Sequence, residues 1–228
     1  MLKSGEIILE NFISHNELNK VVEMMSKLPA GANFEKSTSS SYFKSIGIGH
    51  VLYNWFNKII FKKIQKYFND NCKMLFCAYV DESTPFGVHS DYYHKRIGEP
   101  YMAILIPISV DNNKDKLSLS KTIIFDQVDT YVDNNDHKKR TANNNIKKIH
   151  NKNINNNSLF LYEDELSHCD KDILKALSVK QIVPWTKGNA IYWDEKLLHC
   201  SNNFKTKGIK SKQHIIIHTY TENENELV

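Results

Sequence analysis

Between Gln181 and Tyr220 the chain reads QIVPWTKGNAIYWDEKLLHCSNNFKTKGIKSKQHIIIHTY. Four short apolar runs stand out: Gln181 to Trp185, Asn189 to Trp193, Leu197 to Cys200 and Lys212 to Tyr220. Each is rich in β-branched and aromatic residues, and the turn residues Lys187-Gly188 and Lys207-Gly208 fall between them, which predicts strands. The last run alternates. Lys212, His214, Ile216, His218 and Tyr220 share one face, while Gln213, Ile215, Ile217 and Thr219 share the other, because side chains in a strand change sides at every residue.

Working outward, the same pattern appears earlier in Lys73 to Val80, Tyr101 to Val110 and Thr122 to Phe125, with turn signals at Pro85-Phe86-Gly87 and Asp111-Asn112-Asn113. A short strand is expected from Glu6 to Phe12. Ser14-His15-Asn16-Glu17 then has the form of a capping box. Leu18, Val21, Val22, Met25 and Leu28 follow at helical spacing until Pro29 and Gly31. Phe34 to Ser41 is polar and reads as a loop. A second helix is expected from about His50 to Asn69, with Leu52, Trp55, Phe56, Ile59, Ile60, Ile64 and Phe68 as its apolar stripe and Lys58, Lys62, Lys63 and Lys66 on its wet face. Glu163 to Val179 reads as one more helix through Leu166, Ile173, Leu174 and Leu177. Helices followed by about eight short strands predict a mainly β fold, a β-sandwich or jelly roll supported by N-terminal helices.

The chain of 228 residues, with 41% hydrophobic content, is sized for a single domain spanning 1–228. One stretch, at about 129–157, departs from this composition. It is rich in Asn, Lys and Asp with hardly an aliphatic residue, and reads as a long surface insertion. Across the chain roughly one residue in nine is Asn. The net charge of +4 is carried almost wholly by lysine, Arg96 and Arg140 being the only arginines. A charge this small does not by itself call for a nucleic-acid partner. A nucleic-acid-binding arm through Lys138, Lys139, Arg140, Lys147 and Lys148 stays open as a minor alternative, although the insertion offers few stacking aromatics. No apolar run is long enough to span a membrane, and MLKSGEIILENF has no signal-peptide form. Cys72, Cys77, Cys169 and Cys200 have no C-x-x-C spacing and read as reduced thiols, which favours a cytoplasmic location.

The chemistry-bearing residues are His89, Asp91 and His199. Two imidazoles and one carboxylate with open coordination positions are the facial set that holds non-haem Fe(II). His89 and Asp91, two apart in an extended segment, point the same way. His199 comes about 110 residues later and can reach them from another strand. An H-x-D triplet alone is a weak signal. Here it follows a Pro-Phe-Gly turn behind an apolar strand, and His199 follows the turn-strand-turn Lys187 to Asp194.

With its H-x-D, long gap, Gly188-to-Trp193 strand, distal His199 and following lysines, the sequence resembles the Fe(II)/2-oxoglutarate-dependent oxygenase superfamily, in its phytanoyl-CoA-hydroxylase-like and prolyl-hydroxylase-like branches. The segment Pro184 to Asn189 and the run His199 to Phe204 carry the closest local likeness. The resemblance implies a double-stranded β-helix (jelly roll, cupin-like) and Fe(II) at His89, Asp91 and His199, with 2-oxoglutarate and O2 as co-substrates. It implies hydroxylation of a substrate with release of succinate and CO2. It also implies a basic residue for the far carboxylate of 2-oxoglutarate. Family members usually use Arg there, but no arginine follows His199. The candidates are Lys205, Lys207, Lys210 and Lys212; Lys212, which opens the final strand, is chosen, with Lys210 second. Tyr79 is the candidate hydroxyl donor to 2-oxoglutarate, and the ordinary reading of a core tyrosine stands beside it. Tyr92, Tyr93, His94, Lys95 and Arg96 are expected near the cavity mouth, where they suit a substrate with an anionic group. Asp91 argues against halogenation. A non-catalytic jelly-roll module that binds metal or ligand without turnover is the alternative reading.

Overall fold

The structure is a computed structural model and describes residues 7–27, 41–47, 53–68, 72–91, 99–111, 113, 115–128 and 158–221. The Asn-rich insertion, Tyr92 to Arg96 and the helix start at His50 lie outside the described residues. The strands are β1 (Ile8–Leu9), β2 (Ser41–Gly47), β3 (Cys72–Glu82), β4 (Glu99–Val110), β5 (Lys121–Val128), β6 (Val179–Pro184), β7 (Ala190–Asp194), β8 (Leu197–Ser201) and β9 (Lys212–Thr221). They form two antiparallel sheets, one in the order β1-β7-β4-β9-β3-β2 and one in the order β6-β5-β8. From β6 onward the chain alternates between the sheets, β6 and β8 in the small one and β7 and β9 in the large one. This is a jelly roll, one of the two architectures that the strand pattern allows and the one that the resemblance implies.

Two apolar interiors result from the alternation of side chains. The inner faces of both sheets meet in Ala103, Leu105, Ile124, Val183, Trp185, Ile191, Trp193 and Leu197. The outer face of the large sheet carries Cys77, Tyr79, Ile104, Ile106, Ile215 and Ile217 against the N-terminal helices. Those helices are α1 (His15–Ser26), α2 (Tyr53–Phe56) and α3 (Lys62–Tyr67), α2 and α3 being joined by a π-helical turn at Asn57–Phe61. The expected second helix is therefore one path with a bulge. It delivers Phe56, Ile60 and Ile64 to the core, each fully buried. Helix α1 begins with the capping box, since Ser14 and Glu17 exchange hydrogen bonds through side chain and backbone.

Two expectations are corrected. The single helix from Glu163 to Val179 is broken into a π turn at Tyr162–Leu166 and a short α4 (Lys171–Lys175), after which Val179 already opens β6. Asp170 restarts the helix by capping Asp172 N–H at 2.7 Å. Leu166, Ile173, Leu174 and Leu177 are buried all the same, against the outer face of the small sheet. The second correction is β2, absent from the sequence reading, which ended its polar loop at Ser41. It pairs along the edge of β3 from Ser41↔Glu82 to Gly47↔Phe76.

Gly188 sits at φ +82° between β6 and β7, and a Cβ there would meet Ile13 O at 3.2 Å. Ile13 N–H donates to Gly188 O at 3.0 Å. Only glycine accommodates both the left-handed backbone and this close approach. The turn fixes where β7 starts, and so where Trp193 ends up.

Candidate metal centre

His89 lies at the end of the segment after β3, beside β8. Its N–H donates to His199 O at 3.0 Å and its carbonyl accepts the His199 N–H at 2.9 Å. The two histidines are thus directly opposed, and their rings lie 4.3 Å apart between centroids. Asp91 is fixed two residues on by its N–H, which donates to Glu195 O at 3.1 Å. The ligand atoms of His89, Asp91 and His199 all lie within 4.8 Å of one another.

Each imidazole is oriented by its own strand. His89 Nδ1 is 2.8 Å from Gly87 O, and His199 Nδ1 is 3.0 Å from Leu197 O. A carbonyl only accepts, so both Nδ1 atoms carry a proton, and the Nε2 atoms are the ones turned toward Asp91. Such backing is what orients metal-binding histidines. His199 Nε2 is 3.2 Å from Asp91 Oδ2 and His89 Nε2 is 3.8 Å from Asp91 Oδ1. Burial raises the Asp91 carboxyl, but His199 outweighs it and holds the group well below the usual carboxylate range. Desolvation, and then His199, push His89 below the ordinary imidazole range. A carboxylate and two imidazoles are a donor set suited to a divalent metal, and Fe(II) fits it.

Three supporting groups escaped the sequence reading. Trp193 donates its indole N–H to Asp91 Oδ2 at 3.2 Å. His218 Nδ1 pairs with Glu195 Oε1 at 3.1 Å and stacks on Phe76 at 4.3 Å. Burial pulls His218 down, but Glu195 outweighs it and raises the imidazole above its ordinary value. The third is Glu82. Its signal was an acid of the same strand parity as Val80 and Ala78, one step beyond the apolar run.

Lys212 is almost wholly buried on the inner face of β9. Its Nζ lies 3.0 Å from Glu82 Oε2, with the rings of Trp185 and Phe204 at 4.6 and 5.2 Å from the ammonium. Glu82 Oε1 accepts from Phe86 N–H at 3.0 Å and Ser201 Oγ–H at 3.3 Å. His214, two residues along the same face, is 7% exposed, and its Nδ1 has no hydrogen-bond partner among the described residues. An unpartnered buried nitrogen beside a buried ammonium fits an anionic ligand from this side.

The other two co-substrate candidates lie elsewhere. Tyr79 pairs across from Ile215 and packs in the core beneath the helices, on the face of β3 opposite to Glu82. Lys210 is exposed in the turn before β9, its N–H donating to Asp111 Oδ1 at 2.7 Å. Strand parity explains the first and the start of β9 the second. Glu82 faces inward, so Tyr79 faces outward, and Lys210 precedes the point at which β9 begins.

No protein-family model matches this sequence, and no curated protein matches it. Solved structures do match its fold. SnoK, a non-heme alpha ketoglutarate dependent carbocyclase from nogalamycin biosynthesis, matches with a TM-score of 0.53 at 8% identity, over 96% of this chain and 83% of that one. A Pseudomonas putida prolyl-4-hydroxylase matches with a TM-score of 0.50 at 6% identity, over 94% and 91%. HygX from Streptomyces hygroscopicus, with nickel, 2-oxoglutarate and hygromycin B bound, matches with a TM-score of 0.50 at 9% identity, over 94% and 81%. With its two sheets and the His-Asp-His cluster on their inner side, the chain has the jelly-roll fold of the Fe/2-oxoglutarate-dependent oxygenases.

Proposed function

We propose that this protein is an Fe(II)- and 2-oxoglutarate-dependent oxygenase that hydroxylates its substrate. The observation that carries the reading is the convergence of His89, Asp91 and His199 within 4.8 Å, with both Nδ1 atoms turned to backbone carbonyls and both Nε2 atoms toward Asp91. Iron held by these three residues, with 2-oxoglutarate and O2, supplies oxidation of an unactivated C–H bond with release of succinate and CO2.

The chain's own residues supply the rest. Asp91 brings one negative charge to the metal, and Trp193 holds its carboxylate in place. Lys212 and His214 lie on one inner face of β9, where an ammonium and a free ring nitrogen suit the far carboxylate of 2-oxoglutarate. Trp185, Leu105, Ile124 and Ile216 wall the same interior with apolar surface that excludes water. The fold neighbours include a carbocyclase and a prolyl hydroxylase, so likeness of fold does not select the outcome. Asp91, an intact carboxylate ligand, argues against halogenation, and hydroxylation is the outcome we propose. A substrate with an anionic group suits the basic segment Tyr92 to Arg96.

Anaerobic addition of Fe(II) and 2-oxoglutarate should produce a visible metal-to-ligand charge-transfer band, and air should then give succinate. Asp91→Ala should lose both. Retention of the band and of wild-type O2 uptake by Asp91→Ala would remove the assignment. Metal binding without any 2-oxoglutarate-dependent O2 uptake would favour the non-catalytic module.

A further inference from the structure

We propose that Glu82 is a resident carboxylate that competes for Lys212, and that seating the far carboxylate of 2-oxoglutarate is coupled to uptake of one proton by Glu82. The proposal rests on the reading of Lys212 as the anchor of that co-substrate. It adds a residue that sets when the anchor is available.

The geometry leaves little choice. Lys212 and Glu82 are 2% and 1% exposed and meet at 3.0 Å, so the pair is a neutral unit inside the barrel. Glu82 cannot swing away to solvent without abandoning Phe86 N–H and Ser201 Oγ, both of which hold Oε1. An incoming carboxylate would place two anions around one ammonium, with a net negative charge out of water. Buried charge without compensation is costly, and two carboxylates sharing one site resolve the conflict when one takes a proton. Protonated Glu82 keeps both bonds to Oε1 and can donate from Oε2 to the newcomer.

The other groups facing this site have partners or burial of their own, including the pair behind Phe86, where His168 Nε2 lies 3.1 Å from Phe86 O and 3.5 Å from Cys169 Sγ. From β9, His214 is held well below its ordinary value by burial and then by Lys212. From β8, burial pushes the Cys200 thiol well up, so it is already protonated. The turn after β3 brings Phe86 against Glu82, and Lys212 is the one cation among the described residues that contacts it. Burial raises the Glu82 carboxyl against the pull of Lys212, which is the direction proton uptake requires.

The test is calorimetric titration of 2-oxoglutarate into the Mn(II)-loaded protein, in buffers of different ionisation enthalpy. The wild type should take up close to one proton per ligand, and Kd should weaken by up to about tenfold per pH unit from pH 6.5 to 8.5. Glu82→Gln should lose the uptake and the slope, and bind more tightly than wild type at the alkaline end. The wild-type proton count stands whether or not that variant folds. Tight wild-type binding with no proton uptake and a flat Kd overturns this proposal alone. Persistence of the uptake in Glu82→Gln also overturns it and moves the proton to His214. Mn(II) binding with no 2-oxoglutarate binding by either protein at any pH overturns the co-substrate reading, and this proposal with it.

Discussion

Trp193 and Asp91 are joined by one hydrogen bond of 3.2 Å, from the indole N–H to the carboxylate oxygen that also faces His199. The indole ring lies 4.7 Å from the His199 ring, so one side chain braces two of the three ligands. Trp193→Phe keeps an aromatic ring beside His199 and removes the donor. Metal affinity should fall by about 10- to 100-fold, as is usual when an outer partner of a ligand is lost. Fluorescence-monitored metal titration alongside a melting curve would check this, with the melting temperature expected to stay close to wild type.

Lys212→Met should damage two properties at once. It removes the anchor for the co-substrate and strands the Glu82 carboxylate in the barrel. Breaking a buried ion pair from one side costs about 3–5 kcal/mol, a drop of roughly 10 °C in melting temperature for a chain of this size. The loss should shrink as pH falls, because protonated Glu82 has no charge left to strand. Lys212→Met combined with Glu82→Gln should recover most of the stability without recovering 2-oxoglutarate binding. Recovery of binding by the double variant would show that Lys212 is not the anchor.

Tyr79→Phe and Lys210→Met should leave 2-oxoglutarate affinity within about twofold of wild type, a difference of about 0.4 kcal/mol. Tyr79 lies under the helices and Lys210 in the exposed turn. A tenfold loss in either variant would bring that residue into the site.

Ser14 and Glu17 close the first turn of α1, and Lys63 of α3 reaches Glu17 Oε2 at 2.8 Å. Lys63, and then Ser14, hold the Glu17 carboxyl down to about 2. A depressed acid contributes its stability above its ordinary value of 4.5 and loses it as pH falls toward about 2. Glu17→Gln should therefore cost up to about 1 kcal/mol at neutral pH, the pair being partly exposed. The gap between the two melting curves should close through that acidic window.

The strands were legible because each carries its own signal. Lys212 to Tyr220 alternates cleanly, and the structure gives β9 as Lys212–Thr221. The same alternation put His214 and His218 on the inner face. What the sequence left out was register. The resemblance makes Tyr79 a candidate hydroxyl donor to 2-oxoglutarate, with a core tyrosine as the other reading. Its face depends on the pairing of β3 with β9, which sets Glu82 opposite Lys212 and Tyr79 opposite Ile215. Glu82 itself lies far along the chain from Lys212, and its strand parity marks its face but not its partner. The break in the expected helix at Glu163 to Val179 has a local cause that was readable in principle. Asp170 caps a new helix start in mid-segment, and a capped start cannot lie in a helix interior.

The reciprocal main-chain bonds between His89 and His199 have a further consequence. The spacing of the two imidazoles is written into the backbone of the small sheet, and so does not wait for an ion to gather it. Chain collapse and metal acquisition are then separable events. Stripping the ion with a chelator should leave the jelly roll standing, and reloading it should proceed at the pace of diffusion rather than of refolding. For such a protein, iron scarcity would silence chemistry while sparing the scaffold, and activity could return without new synthesis.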